Sequence, residues 1–164
     1  VCCKSNLMEF SQKEVNLRYQ KSFNGQESIR LGVAVALING KNEILLEKRS
    51  DCGWWGVTGG KLDLGETVQD CAVREIKEEC NVLIETKLLR LVGVYSDPKE
   101  GRILQYPDNR IHLIDIVYIL KRSYFELKKS HESLELKFFT FDQLPDLIVP
   151  PAIKPLEDIS KIIK

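Results

Sequence analysis

The chain has 164 residues, of which 43% are hydrophobic and 29% charged, a balance that builds a folded core and excludes a disordered chain. Its 24 basic residues offset 24 acidic ones, so no global field exists for gripping a nucleic-acid polymer or an anionic membrane, although a local site for a small anion stays open. Five cysteines (Cys2, Cys3, Cys52, Cys71, Cys80) without CxxC spacing argue against a disulfide framework or a zinc site and for reduced thiols in the cytoplasm.

In chain order, residues 1–28 are polar with scattered apolar positions. They read as an N-terminal arm with a helix over about residues 6–21, ended by Asn24-Gly25. This arm is available for a homodimer contact. Residues 31–38 form a buried-strand run stopped by Asn39-Gly40, and residues 43–49 form the return strand of a hairpin. The first run is too short to span a bilayer. A glycine-rich loop occupies residues 50–65, and a helix follows over residues 67–80. Further strands are predicted at 88–95, 111–120 and 134–141. Pro150-Pro151 then opens a C-terminal helix running to Lys164, because proline suits the first helical turn. Strands and helices alternate without regular βαβ repeats, which predicts an α/β fold with a mixed sheet packed between helices.

The helix carries the chemistry. Thr67 and Asp70 form a capping box at its start. Spaced at about 100° per residue, Val68, Cys71, Ala72 and Ile76 make one apolar arc facing the core. Glu75 and Glu79 fall inside that arc, and Glu78 lies at its edge. A buried carboxylate costs several kcal/mol unless it is paired or bound to a metal. A surface salt bridge from Arg74 to Glu78 explains Glu78; it does not explain Glu75 or Glu79. Carboxylates at i, i+3 and i+4 suit a hard divalent cation. The glycines before the helix let backbone approach a ligand closely.

Gly60, Glu66 and the run Arg74-Glu75-Ile76-Lys77-Glu78-Glu79-Cys80-Asn81-Val82 resemble the Nudix box, Gx5Ex7REUxEExGU, with U apolar. One position departs: Asn81 stands where the family has glycine. Asparagine tolerates the left-handed conformation that ends a helix. Upstream, residues 55–60 resemble the family lead-in W-G-L-P-G-G, with Thr58 in place of proline, a change expected to loosen the loop. The resemblance covers about residues 30–145.

It implies a Nudix α/β/α sandwich over residues 29–164, hydrolysing a nucleoside diphosphate linked to another group, such as ADP-ribose or a nucleotide sugar. A nucleoside triphosphate pyrophosphohydrolase and a non-catalytic nucleotide sensor are the competing readings. Carried over by position, Glu75, Glu78 and Glu79 hold Mg²⁺ or Mn²⁺, with Glu66 and the Gly59 carbonyl as further ligands and Arg74 orienting a box glutamate. For the general base, Glu132 is favoured over Glu75 and Glu135. Arg49 is a candidate for phosphate, and Tyr95 and Tyr106 for stacking on a base or shaping its pocket. Trp54 and Trp55 are expected to pack beneath the loop, and His112 and His131 to be structural. The expected partner is a small nucleotide, with neither a nucleic-acid polymer nor a membrane involved.

Overall fold

The computed structural model describes residues 25–163. The helix expected over residues 6–21 lies outside the described residues. The described elements are β1 (Gln26–Ile38), β2 (Ile44–Arg49), β3 (Trp55–Gly56), β4 (Gly59–Lys61), α1 (Val68–Cys80), β5 (Arg90–Tyr95), β6 (Ile103–Gln105), β7 (Asn109–Lys121), β8 (Ser133–Phe139) and α2 (Pro150–Ile162).

All eight strands belong to one sheet, with β3-β2-β1-β7-β5 as its main path; β4 joins β1, β6 joins β7 and β8 joins β2. The two longest strands, β1 and β7, run parallel in register from Gln26↔Asn109 to Ile38↔Lys121. The other pairings are antiparallel. The sheet is therefore mixed, as expected.

Strand periodicity divides the core in two, since successive side chains point to opposite faces. Val33, Val35 and Leu37 of β1 join Tyr118 and Leu120 of β7 under α1, against Cys71, Ala72, Ile76 and Cys80. Ala36, Ile38, Val117 and Ile119 face the other way, against Ala152, Leu156 and Ile159 of α2. One helix on each face gives the α/β/α sandwich. Ile76 and Ile159 are both fully buried, and each such side chain contributes about 2 kcal/mol by leaving water.

Local differences from the predicted elements have physical causes. β1 starts at Gln26, five residues before the apolar run and inside the segment read as arm, because the parallel ladder with β7 carries it onward. The β1–β2 hairpin is only one residue pair deep, Ile38↔Ile44. Beyond that pair β2 turns to β8 and β3, while β4 takes the edge of β1 at Gly32–Ala34. That divergence leaves this edge of β1 to the glycine loop, whose β4 pairs there.

Candidate active site

The helix α1 begins as predicted. Thr67 Oγ1 accepts the Asp70 N–H at 3.1 Å and donates to the Asp70 carboxylate at 2.7 Å. It ends at Asn81, which adopts φ 57°, ψ 28°, the left-handed conformation required there. Between these caps Glu79 is buried on the inward face, 7% exposed, as the wheel indicates.

The loop preceding α1 supplies the other half of the site. Gly59 has φ 148°, and a Cβ there would strike the Val33 carbonyl; a Cβ on Gly60 would overlap the Glu75 carboxylate. Backbone can therefore lie directly against both box glutamates. The Gly59 N–H donates to Glu79 Oε2 at 2.7 Å. Thr58 does not loosen this loop. It is fully buried, its hydroxyl donates to the Val35 carbonyl at 3.0 Å, and its own carbonyl accepts the Val35 N–H at 2.9 Å.

Arg74 organises the remaining carboxylates. Its Nε and Nη2 donate to both oxygens of Glu66 at 2.7 and 2.9 Å, a bidentate grip, and Nη1 donates to Glu75 at 2.7 Å and Glu78 at 3.3 Å. The guanidinium holds the Glu66 carboxyl down at about 2. Glu75 behaves oppositely: burial raises it above the ordinary range despite Arg74. Glu79 is pushed up to about 9, first by burial and then by the negative charge of Glu47.

A cleft of about 650 Å³ collects the site. Glu75, Glu79, Gly59, Gly60, Arg49, Glu132 and Tyr106 all line it. Arg49 is held by Asp51 through bonds of 3.0 and 2.7 Å, so it faces the cleft as half of an ion pair. Glu132 is 70% exposed at its side chain, but its backbone is fixed. Its N–H donates to Ser130 Oγ at 3.1 Å, its carbonyl accepts from Ser50 at 2.9 Å, and the Ser130 N–H reaches the Glu79 carbonyl at 3.2 Å. Glu135, the rival candidate, is exposed on β8, paired with Lys48 of β2 and outside the cleft lining.

Other expected residues lie elsewhere. Tyr95 is a correction. It is 7% exposed within the α2-side core, its hydroxyl donates to Asp158 at 3.3 Å, and it does not line the cleft. Its strand β5 turns that position toward α2. Glu66 and Glu78 also stand outside the lining and connect to it through Arg74. Trp55 is buried edge-on against Phe139 at 5.0 Å, while Trp54 lines the cleft instead of packing beneath the loop. His112 bonds the Ser96 carbonyl at 2.7 Å, and His131 is exposed.

Sequence reasoning missed Glu47. It is 3% exposed, accepts from the Ser133 hydroxyl at 2.6 Å, and burial raises its carboxyl above the ordinary range. Period-two alternation from the buried Leu45 carries the signal that would have placed it inward, beneath α1.

The oxygen donors at this site are of the kind that suits a hard divalent cation. Glu75 and Glu79 are carboxylates whose charge burial penalises, and Gly59 brings backbone beside them. Among the described residues no three such side chains close into a cage; Arg74 and the Gly59 N–H hold the glutamates in their present orientation.

A NUDIX domain model matches residues 28–159. The chain belongs to the Nudix family. A relative from Methanocaldococcus jannaschii, named ADP-ribose pyrophosphatase, is 37% identical over 144 residues, covering 84% of this chain and 78% of its own. The crystal structure of a MutT NUDIX hydrolase from Burkholderia pseudomallei superposes with a TM-score of 0.65 at 26% identity, covering 80% of this chain and 98% of that one. An ADP-ribose pyrophosphatase from Streptococcus suis shares the fold, with a TM-score of 0.65 at 23% identity over 81% of this chain and 90% of that one. This Nudix chain is accordingly a hydrolase of the pyrophosphatase type. Nudix hydrolases generally use divalent metals. No helix among the described residues is long and apolar enough to cross a membrane.

Proposed function

We propose that this Nudix protein hydrolyses the diphosphate of ADP-ribose or a similar nucleoside diphosphate derivative with Mg²⁺ or Mn²⁺. The observation that carries this reading is the meeting of Glu75 and Glu79 with Arg49 and Glu132 in one cleft. The name of the M. jannaschii relative supports the choice of ADP-ribose. Glu75 and Glu79, with the Gly59 carbonyl, are the proposed metal ligands; Glu66 and Glu78 support them through Arg74. Bound there, the cation would neutralise phosphate oxygens and acidify a water. Glu132 then takes the proton from the attacking water. Arg49, already oriented by Asp51, contacts the diphosphate. The proposed compartment is the cytoplasm, where nucleotide derivatives and free thiols such as Cys71 and Cys80 are both at home.

The test is a panel of nucleoside diphosphate derivatives and nucleoside triphosphates with Mg²⁺ or Mn²⁺, with products separated by chromatography. ADP-ribose should yield AMP and ribose 5-phosphate, and ¹⁸O from labelled water should appear on a phosphate. Turnover of triphosphates alone would replace the substrate assignment. No turnover of any member would favour a sensor.

A further inference from the structure

The cleft extends well beyond the glutamates. β1 and β7 pair Gly32 with Asp115, and residues 30, 32 and 34 share a face with 113, 115 and 117. That face lines the cleft. Among the described residues, Asp115 is the only acid that these two strands present to it. Gly32 makes the room: a Cβ there would overlap Asp115 Oδ1.

The other oxygen, Oδ2, accepts from Arg102 Nη1. Arg102 is fully buried, lies 5.4 Å from the Tyr95 ring, and among the described residues its Nε and Nη2 meet no hydrogen-bond partner. Asp115 is thus the counter-charge that a buried guanidinium requires, and the pair locks the carboxylate in one orientation. Oδ1 is left as an acceptor above Gly32.

Position and surroundings identify what that acceptor meets. Asp115 lies two strands from Lys61 of β4, about 10 Å at ordinary strand spacing. Gly60, beside Lys61, lies against the Glu75 carboxylate, so with the diphosphate at the glutamates Asp115 falls within the reach of the nucleoside. Leu104, Leu113, Val117 and Pro155 line the same region. Arg30 shares the face with Asp115, and Gln105 and Tyr106 also line the cleft; the flat of a planar base suits the apolar walls, and its polar edge meets the carboxylate.

We infer that Asp115, positioned by Arg102, selects the base: Oδ1 accepts from an exocyclic amine, as on adenine, and repels the carbonyl that hypoxanthine carries there. This rests on the nucleotide reading above. Arginine has donors only. In Asp115→Asn the amide must therefore turn its oxygen to Arg102 and its NH₂ to the cleft. The variant changes an acceptor into a donor without changing shape.

The experiment compares ADP-ribose with its hypoxanthine analogue. Wild type should favour ADP-ribose in kcat/KM by at least about tenfold, and Asp115→Asn should erase or reverse that ratio. A wild-type ratio near one, or an unchanged ratio in the variant, overturns the inference. Calorimetry of AMP and IMP binding reads the same preference without turnover. If neither diphosphate is hydrolysed but AMP still binds at least about tenfold tighter than IMP, the activity reading fails and the base reading stands; equal binding sinks the base reading. Should Asp115→Asn fail to fold around an unpaired Arg102, the double variant Arg102→Met, Asp115→Asn removes the buried cation. Its amide is free to turn either way, so it should accept both bases alike; a retained preference for adenine overturns the inference.

Discussion

Glu79 lies buried under the glycine loop, and its carboxyl stands at about 9, raised from 4.5 by burial and by Glu47. The folded protein therefore holds this proton more tightly than the unfolded chain does. The stability it contributes is fully present below about pH 4.5 and is lost as pH rises through about 9. Without metal, the wild-type melting temperature should fall over this range more steeply than that of Glu79→Gln, whose amide still accepts the Gly59 N–H. At about pH 8 the variant should melt at the same temperature or higher. Added Mg²⁺ should raise wild type more than the variant, and the variant should lose nearly all hydrolysis. Calorimetry at two pH values, with and without Mg²⁺, measures this; a variant that melts lower at about pH 8 yet turns over would make Glu79 structural. Glu132 should matter for turnover and not for stability. Its side chain is exposed and its backbone carries the contacts to Ser50 and Ser130. Glu132→Gln should leave the melting temperature and Mg²⁺ affinity nearly unchanged while kcat falls by about 10²–10⁴. An unchanged kcat would pass the role to Glu75.

At the scale of elements, α1 is an amphipathic helix with an acidic intrusion on its apolar face, and its caps set where that intrusion points. Asn81 holds the left-handed C-cap, with the Val82 N–H reaching the Ile76 carbonyl at 3.4 Å. Glycine meets no steric cost in that conformation, and asparagine meets a small one. Asn81→Gly should therefore raise the urea midpoint, by up to about 1 kcal/mol of stability, with kcat/KM unchanged. A loss of stability would show that the asparagine side chain is doing more than tolerating the turn. The strands β3, β4 and β6 have two or three residues each, too few to show a period, and none was predicted. They exist because longer strands offer them an edge: β4 pairs β1, β3 pairs β2 and β6 pairs β7.

For the molecule as a whole, one sheet is shared by two cores, so the two faces should unfold together. Ile76 anchors the α1 side and Ile159 the α2 side, both at 0% exposure. Ile76→Ala and Ile159→Ala should each cost about 2–5 kcal/mol and shift one common transition, with unchanged m-value. Far-ultraviolet dichroism and tryptophan fluorescence in urea test this. Separate transitions for the two probes would mean that the faces melt independently.

The Nudix box, the inward glutamates, both α1 caps and the α/β/α layering were legible in the sequence. The box, the glutamates and the caps are local, since spacing along one helix determines which face a residue occupies; the layering follows from the order of strands and helices. Tyr95 was misplaced and Glu47 was passed over: alternation gives each its face of the strand, but which element covers that face is decided by the fold. α2 covers Tyr95 and takes it out of the cleft; α1 covers Glu47 and sets it against Glu79. The Asp115–Arg102 pair joins positions 13 residues apart, and Gly32 meets Asp115 only because β1 and β7 run parallel. Helix periodicity is written in consecutive residues. Pairing between distant strands is decided by the competition of whole surfaces for burial, and only the folded chain resolves it.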